Sequence, residues 1–356
     1  QRLHIDGPLM LGLLAICGIG LIVLYSAGSA DIDLISRQCV RMGAAFAAMF
    51  VVAQIPPNYL RLWAPPLFLV GLGALVMVIF FGDVGKGARR WLDIGFMSFQ
   101  PSEIMKLGVP MMVAWYLHSR PLPPSPGALV LLAIMIMTPA FMIAVQPDLG
   151  TSLLIASSGI LVVLLAGLSV RLIAAFSLLA AAAAPVLWYF MHDYQKQRVL
   201  TFLDPERDPL GAGYHSIQSK IAIGSGGLFG KGWMNGSQAQ LEFLPERSTD
   251  FIFAVMAEEF GLLGLLVLLI VYAYVVGRGL FIAAQGQDTF SRLLAGSISL
   301  TFFVYVFVNI GMVIGIMPVV GVPLPLVSYG GTSMVTIMAS FGILMSIQTH
   351  RKLLAQ

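Results

Sequence analysis

Three carboxylates lie in or beside one apolar segment, "TDFIFAVMAEEFGLLG" at residues 249–264. A charged side chain at the centre of a membrane helix costs roughly 2.5–3.5 kcal/mol, and such a residue is by default a sign of function. Asp250 opens the segment, and the dipole of a helix starting there would stabilise its charged form by about 0.3–1 kcal/mol. Asp250 could therefore act as a general base that accepts the proton of an attacking hydroxyl.

The other two carboxylates of this segment are placed differently. Asp250 shares one helix face with three small residues, Ala254, Ala257 and Gly261. That face leaves either a groove or a close contact with another helix. Glu258 would lie about 12 Å deeper, within a quarter turn of the same face. Glu259 lies on the opposite face, where we expect a structural pairing with a polar group such as Asn309.

The elements that must position these groups are membrane helices. Of the 356 residues, 58% are hydrophobic and only 10% are charged, whereas soluble domains have about 25% charged residues. Apolar runs of about 20 residues recur from end to end, which indicates an all-α integral membrane protein. The short alternating segments of a membrane β-barrel are not seen. The basic residues are scattered rather than striped, so no nucleic-acid partner is expected.

We predict ten transmembrane helices in a single polytopic membrane domain, residues 1–356. The predicted spans lie at about residues 9–27, 37–54, 63–81, 103–118, 128–146, 149–167, 171–191, 250–277, 293–316 and 329–349. Residues 82–102 are too polar to span and rich in aromatic residues, which suits a segment lying at the interface. Residues 192–249, between helices 7 and 8, form the one long loop. No internal repeat is found, so the inverted-repeat pattern of many secondary transporters is not seen.

The charges of the short loops orient the chain. One side carries Arg2, Arg61, Arg120, Arg171, Arg278, Arg292, Arg351 and Lys352. Only Asp6 and Asp288 oppose them there. By the positive-inside rule this side is cytoplasmic, both termini are cytoplasmic and the long loop is extracytoplasmic. A smaller basic group on the other side argues against this orientation: Arg37, Lys86, Arg89 and Arg90.

Further ionisable residues lie near the N-terminal ends of even-numbered spans. They are Arg41 in the second span, Glu103 and Lys106 in the fourth, Asp148 at the sixth and Asp250 in the eighth. With ten spans, all these ends face the outer side. A proton or ion pathway would need such groups spread through the depth of the membrane. Their grouping at one face indicates a reaction or binding site open to the outer leaflet.

Some of these residues also have structural interpretations. Glu103 and Lys106 are spaced i, i+3 on one helix face, so they could neutralise one another or bind a ligand directly. Asp148 follows Pro147 and opens a span, so helix capping is favoured over a direct role.

Two stretches rich in glycine have irregular patterns. "GSGGLFGKG" (224–232) fails as a phosphate loop, because Ser225 stands at the first glycine position and Gly232 follows the lysine. A flexible bend or re-entrant turn is favoured instead. "GVPLPLVSYGGTS" (321–333) contains two prolines that force an extended path. Irregular backbone at membrane depth is tolerated where protein buries it or a cavity needs it.

The chemistry of an outer face limits the donor. A transferase working there has no ATP or nucleotide sugar, so its donor must bring its own leaving group, as a lipid pyrophosphate does. Basic residues could hold the pyrophosphate as charge builds on it, while a carboxylate takes the proton of the attacking hydroxyl. The sequence requires no cofactor, and its histidines show no metal-ligand spacing. A divalent cation, Mg²⁺ or Mn²⁺, could assist the pyrophosphate.

Five long motifs carry a family resemblance. They are "RRWLDIGFMSFQPSEIMKL", "AVQPDLGTS", "DPLGAGYHSIQSKIAIGSGGLFGKGW", "LPERSTDFIFAVMAEEFG" and "GVPLPLVSYGGTS". In order and content they resemble the SEDS family (shape, elongation, division and sporulation), and the resemblance covers nearly the whole chain. "PERSTDF" is more similar to the rod-shape (RodA) branch than to the division (FtsW) branch, which typically has "PEAHTDF".

The resemblance implies a fold, an activity and partners. Members are ten-span peptidoglycan glycosyltransferases that polymerise lipid II at the outer face of the bacterial inner membrane, in elongation and the maintenance of cell shape. They work with a class B penicillin-binding protein. Two other functions stay open: a flippase or transporter of lipid II, and a non-catalytic scaffold for the penicillin-binding protein.

The resemblance also assigns roles to residues. It makes Asp250 the essential acid, and it makes Glu103 and Lys106 functionally important. Weaker assignments by the resemblance fall on Arg41, Asp148 and Ser328. Basic residues of the long loop, Lys220 and Arg247, are further candidates for holding the pyrophosphate. Glu258, with Glu259, is expected to shape or tune the cavity beneath Asp250.

Overall fold

The computed structural model describes residues 3–85, 88–93, 98–191, 193–205, 213–241, 243–244 and 246–351. Arg2 and Lys352, which entered the predicted orientation, lie outside these residues, as does Lys86. The protein is mostly helical, as predicted. Its α-helices are α1 (Gly7–Ala27), α2 (Ile32–Ala53), α3 (Pro57–Phe81), α4 (Pro101–His118), α5 (Pro126–Val145), α6 (Leu149–Leu165), α7 (Val170–Phe190), α8 (Asp193–Leu203), α9 (Tyr214–Gly226), α10 (Ser237–Gln240), α11 (Ile252–Ala284), α12 (Thr289–Val313) and α13 (Thr332–Thr349).

Helices occupy all ten places where spans are predicted. In the described part of the chain, seven of them are long and apolar enough to cross a membrane: α1, α2, α3, α5, α11, α12 and α13. Helix α6 is apolar but has only 17 residues. Helix α4 contains Glu103, Lys106 and His118, which lower its hydropathy. The sequence and the structure therefore agree on a multi-pass membrane protein.

The segment between α3 and α4 differs from the all-α prediction. It forms a small antiparallel sheet of β1 (Asp83–Gly85), β2 (Ala88–Asp93) and β3 (Ser98–Phe99), in the order β1-β2-β3. The pairing between β1 and β2 contains an irregularity beside Asp83. Since the segment is polar and lacks the 3.6-residue apolar period, it pairs its backbone groups between strands instead of within a helix.

Small residues let the helices approach closely. A Cβ on Gly342 of α13 would lie 2.5 Å from the backbone oxygen of Met49 in α2, and α13 packs along α2. A Cβ on Gly279 of α11 would lie 2.2 Å from Ser299 Oγ in α12. Close backbone approach of this kind is the usual means by which membrane helices associate.

The two ends of the described chain meet just before the start of α1 and just after the end of α13. The imidazole rings of His4 and His350 stack in parallel, with centroids 3.9 Å apart. Asp6 caps α1 and forms an ion pair with Arg278 of α11, with a closest N–O distance of 2.6 Å. These contacts fix the two ends of the chain to the end of α11.

Candidate functional site

Asp250 lies in a turn that precedes α11. The helix begins at Ile252 with Phe251 as its N-cap, so the prediction that Asp250 lies in the first turn of the helix is wrong by about two residues. The turn is held from α12, because Asn309 Nδ2 donates to the backbone oxygens of Asp250 and Val322 at 2.9 and 2.7 Å. A Cβ on Gly321 would lie 3.5 Å from Asp250 Oδ2. The carboxylate therefore faces the bend at Gly321 and remains half-buried.

Ser328 positions the turn that carries Asp250. Its Oγ donates to the backbone oxygen of Thr249 at 2.6 Å and accepts from the backbone N–H of Leu324 at 2.8 Å. The neighbouring Tyr329 N–H donates to the backbone oxygen of Ser248 at 2.8 Å. Ser328 is only 3% exposed, so its hydroxyl is enclosed by these contacts with the turn.

Side chains from three helices form hydrogen bonds with backbone groups of the irregular segment 321–331. Tyr272 of α11 donates to the backbone oxygen of Pro325 at 2.6 Å. Gln38 of α2 donates to the backbone oxygen of Ser328 at 3.3 Å and accepts from Gly330 N–H at 3.4 Å. The third side chain is that of Asn309. Buried irregular backbone needs such partners, so the segment is a built support for the Asp250 turn.

Arg41 lies one turn after Gln38 on α2. Its guanidinium stacks over the ring of Tyr329, with Cζ 4.5 Å from the ring centroid. The side chain is half-buried. Within the described part of the chain it forms no hydrogen bond or ion pair. Its five N–H donors are therefore available for an anion.

Glu103 and Lys106 form a buried ion pair on α4. Lys106 Nζ lies 2.7 Å from Glu103 Oε1, and the two side chains are 12% and 7% exposed. Lys106 also reaches Ser333 Oγ at 3.5 Å and lies 5.6 Å from the ring centroid of Tyr305. The two residues are paired, as one of the two alternatives requires, and a direct role in binding a ligand stays a prediction. Among the described residues, Glu103 Oε2 and Tyr305 Oη have no hydrogen-bond partner.

A cavity of about 30 Å³ adjoins this pair between α4, α12 and α13. Its lining is mostly apolar, and its polar residues are Lys106, Thr301, Tyr305, Thr336 and Ser340. A space of this size has room for a water molecule beside Lys106.

Asp148 caps α6, as the sequence favoured. Its carboxylate accepts from Thr151 N–H at 3.2 Å. A Cβ on Gly150 would lie 2.8 Å from the backbone oxygen of Val320. The start of α6 therefore packs against the residue that precedes Gly321, the glycine that Asp250 faces.

The glycine-rich stretch 224–232 is a packing element and not a phosphate loop. Helix α11 is broken at Gly261, which has φ 62° and ψ −165°, a conformation that side chains rarely adopt. The break leaves backbone N–H and C=O groups of α11 without partners inside the helix, and residues 227–232 form hydrogen bonds with these groups. Lys231 and Gly232 donate to the oxygens of Glu258 and Glu259, and Leu262 and Leu263 donate to the oxygens of Gly227 and Leu228, all at 2.9–3.1 Å.

The end of α9 and the glycine-rich stretch after it pack closely against α11 at the stripe of small residues. A Cβ on Gly226 would lie 2.0 Å from the backbone oxygen of Ala257, and a Cβ on Gly230 would lie 2.1 Å from that of Glu259. Of the two alternatives for this face, the close helix contact is the one observed. The buried N-terminal part of α11, Ile252–Glu259, is therefore packed under the end of the long loop.

Glu258 is completely buried and its carboxylate is surrounded by donors of the loop. Lys231 Nζ lies 2.6 Å from Oε1, Ser237 Oγ 3.0 Å from Oε1, and the Gln238 N–H 3.1 Å from Oε2. Glu259 accepts from Ser26 Oγ of α1. The expected partner of Glu259, Asn309, binds the turn of Asp250 instead, so that pairing is wrong.

The two basic loop candidates have different surroundings. Arg247 donates to the backbone oxygen of Ala239 and, at 3.1 Å, to Ser29 Oγ, so it ties the loop to the link between α1 and α2. Lys220 is exposed on α9, next to Gly315. Among the described residues it has no hydrogen-bond or ion-pair partner.

Sequence reasoning missed three positioning side chains: Gln38, Tyr272 and Asn309 in its actual role. Each is a polar group in an apolar helix, which is the available signal, but only the fold shows its partner. In the described part of the chain, no three His, Cys, Asp or Glu side chains are grouped to ligate a metal.

Fold and site together define a multi-pass helical membrane protein with a carboxylate in a supported turn, an arginine stacked over Tyr329 and a buried ion pair on α4. The family model for cell cycle proteins of the FtsW, RodA and SpoVE type matches residues 8–353. The chain therefore belongs to this family, the SEDS proteins that its motifs resemble.

Curated relatives carry the activity in their names. The chain is 55% identical to the peptidoglycan glycosyltransferase MrdB of Escherichia coli K12, over 100% of this chain and 96% of that protein. It is 38% identical to the protein of the same name from Helicobacter pylori J99, over 88% of this chain and 83% of that one.

Solved structures share the fold. One belongs to a peptidoglycan synthase complex described as coordinating polymerization and crosslinking; its chain superposes with a TM-score of 0.85 at 34% identity, over 98% of this chain and 99% of that one. The rod shape determining protein RodA of Thermus thermophilus superposes with a TM-score of 0.74 at 29% identity, over 98% of each chain.

Proposed function

We propose that this protein is a peptidoglycan glycosyltransferase that polymerises lipid II during cell elongation. The family and the curated names of its relatives support the activity. The observation that carries the assignment of the site is the turn of Asp250, which is tied to α12 through Asn309 and to segment 321–331 through Ser328. Such a turn holds a carboxylate in one place, as a general base requires.

In the proposed mechanism, the 4-hydroxyl of one lipid-linked disaccharide attacks the anomeric carbon of a pyrophosphate-linked sugar. Asp250 accepts the hydroxyl proton as the new glycosidic bond forms. The bond to the pyrophosphate breaks, and negative charge builds on the leaving group. Fixed cations stabilise such charge most in a site that excludes water.

Arg41 and Lys106 are the cations we assign to the pyrophosphate. Arg41 has available donors over Tyr329, and Lys106 is held by Glu103 at the edge of a cavity of about 30 Å³. Lys220 has no competing partner in the described part of the chain and is a further candidate. Since the described side chains form no metal cluster, a Mg²⁺ or Mn²⁺ ion would bind mainly through the substrate's phosphate oxygens.

We further propose that all ten long helices span the bacterial inner membrane, with both termini cytoplasmic and Asp250 facing outward. Helix α4 would then bring its charged residues to the site, and α6 would start there. The residues between α7 and α11 would be extracytoplasmic, where they could contact a class B penicillin-binding protein. A solved relative that forms part of a synthase complex supports such a partner.

The transporter alternative is less well supported. A translocation pathway needs ionisable groups spread through the depth of the bundle, whereas the sequence groups them near one end of the even-numbered spans. A scaffold role would need no carboxylate held in a turn with an available guanidinium nearby. Both alternatives are outcomes of the test below.

The test is polymerisation of lipid II by the purified protein with its penicillin-binding partner, in the presence of a transpeptidase inhibitor, with glycan strands resolved on a gel. Asp250→Asn should lower the rate by about 10²–10⁴-fold, the usual contribution of a general base. Asp33→Asn, an exposed carboxylate in the first turn of α2, is the matched control and should keep full activity.

Outcomes separate the functions. Strands from wild type only, with the complex intact in both, support the enzyme and the role of Asp250. Equal strands from wild type and Asp250→Asn would move the base to another residue. No strands from either would leave the flippase and scaffold functions, which a lipid-translocation assay would then distinguish.

A further inference from the structure

Two apolar cavities follow the lipid-facing side of α6. The first, of about 560 Å³, lies between α6, α12 and residues 317–320. The second, of about 540 Å³, lies between α5, α6 and the start of α7. Both are lined by Ile160. The two cavities therefore meet at Ile160, and we refer to them together as the α6 groove.

The outer end of the α6 groove adjoins the candidate site. Gly150, two residues after Asp148, lines the groove, and so does Val320. Val320 precedes Gly321, whose Cβ position lies 3.5 Å from Asp250 Oδ2. A molecule that enters the groove at this end starts beside the carboxylate that we assign as the base.

The groove then runs down the bundle on its apolar side. From Gly150 to Leu164, α6 rises about 21 Å at 1.5 Å per residue, most of the roughly 30 Å of a bilayer's hydrocarbon core. Leu153 and Ile160 are 63% and 45% exposed, so the groove opens to lipid. Its depth comes from small residues of α6, namely Gly150, Ala156 and Ser157.

We propose that the α6 groove binds the polyisoprenoid chain of the lipid-pyrophosphate substrate. This inference rests on the proposed function, which places the pyrophosphate next to Asp250 and requires the attached chain to enter the membrane there. The groove is the described apolar channel that begins at that point. Binding the chain fixes where the pyrophosphate lies, so contacts far from the reacting atoms assist catalysis.

The first test fills the groove. Ser157→Trp places a large side chain in it, and Leu69→Trp, at a site on α3 that is 65% exposed to lipid, is the matched control. Polymerisation is measured with lipid II bearing its full isoprenoid chain and with an analogue bearing a short chain. Ser157→Trp should raise KM for the long-chain substrate by about tenfold or more and leave KM for the short-chain substrate unchanged.

Two results would overturn the proposal. One is an equal rise of KM for both substrates, and the other is no rise in a correctly folded Ser157→Trp protein. Val308→Trp fills the same groove from α12 and covers the case in which Ser157→Trp does not fold.

The second test does not depend on turnover. A polyprenyl pyrophosphate that carries a photoreactive group along its chain is irradiated with wild-type protein in phospholipid vesicles. Label should fall on α6 between Leu153 and Leu164, and excess unlabelled polyprenyl pyrophosphate should remove it. Competition by phospholipid alone, or label spread evenly over lipid-facing helices, would show bulk lipid in the groove. Labelling of α6 without any glycan strands would defeat the proposed reaction but not the lipid site.

Discussion

Asp250 and Glu258 are carboxylates eight residues apart, and the structure treats them in opposite ways. Glu258 is fully buried and binds three donors of the long loop, including the ammonium of Lys231. Asp250 is half-buried in a turn whose backbone is held by Asn309, and its carboxylate faces a glycine bend. The donors of the long loop bind the Glu258 carboxylate itself, whereas Asn309 binds the backbone of the Asp250 turn. We therefore expect Glu258 to act mainly in stability and Asp250 to act in the reaction.

Removing the ion pair of Glu258 should give the largest effect and tests whether this carboxylate acts in stability. Lys231→Met would leave a buried carboxylate without its cation. Loss of one partner from a buried pair costs about 3–5 kcal/mol. Because Lys231 is 32% exposed, solvent screening reduces this loss, and we expect about 2–3 kcal/mol of unfolding free energy. Thermal unfolding in detergent measures the loss, and turnover per folded molecule should stay near wild type.

A double variant separates the loss of the ion pair from the effect of removing each side chain. Lys231→Met/Glu258→Leu replaces the pair by apolar side chains, which is often close to neutral. The double variant should therefore lose less unfolding free energy than the sum of the losses in the two single variants. Strict additivity would mean that the two groups do not interact, and a large loss of turnover would place Glu258 in the reaction.

Ser328 tests the other half of the comparison, the backbone support of Asp250. Ser328→Ala removes a donor to Thr249 and an acceptor for Leu324, and unsatisfied buried groups cost about 1–3 kcal/mol. We also expect kcat to fall about 10–100-fold with little change of KM, because small misplacement of a reacting group is costly. Initial rates at several lipid II concentrations separate the two constants.

A second serine provides a matched control. Ser346 is fully buried on α13 and donates to the backbone oxygen of Ile55. Ser346→Ala should lose comparable stability and keep its turnover. An equal drop in kcat for both variants would mean that general loosening, and not the position of Asp250, explains the effect.

The sequence predicted what is local and missed what depends on distant partners. Hydropathy placed the long helices, spacing paired Glu103 with Lys106, and a carboxylate after proline predicted the cap of Asp148. The start of α11 was misplaced because Ser328, 78 residues beyond Asp250, helps hold the preceding turn. The break at Gly261 depends on hydrogen bonds from residues 227–232. No periodicity within α11 reports such a partner.

The stacked rings of His4 and His350 join the two ends of the described chain. We expect this region, unlike the Asp250 turn, to affect stability and not catalysis. Burial, and then the neighbouring His350, lower the pKa of His4 below its usual 6.5. The unfolded chain therefore binds more protons than the folded protein between the two pKa values. Stability is fully present above about pH 6.5 and falls as the pH drops through the folded pKa.

We expect the Tm of the wild type to fall between about pH 7.5 and about pH 5.5 by a degree or so more than that of His4→Gln. Thermal unfolding of both proteins in detergent across this range measures the difference. His4→Gln should polymerise lipid II at the wild-type rate near neutral pH, since no contact joins the stacked pair to the Asp250 turn in the described residues. A Tm that rises on acidification would mean that the folded protein binds the extra proton, and the stacked pair would then stabilise a charged imidazole.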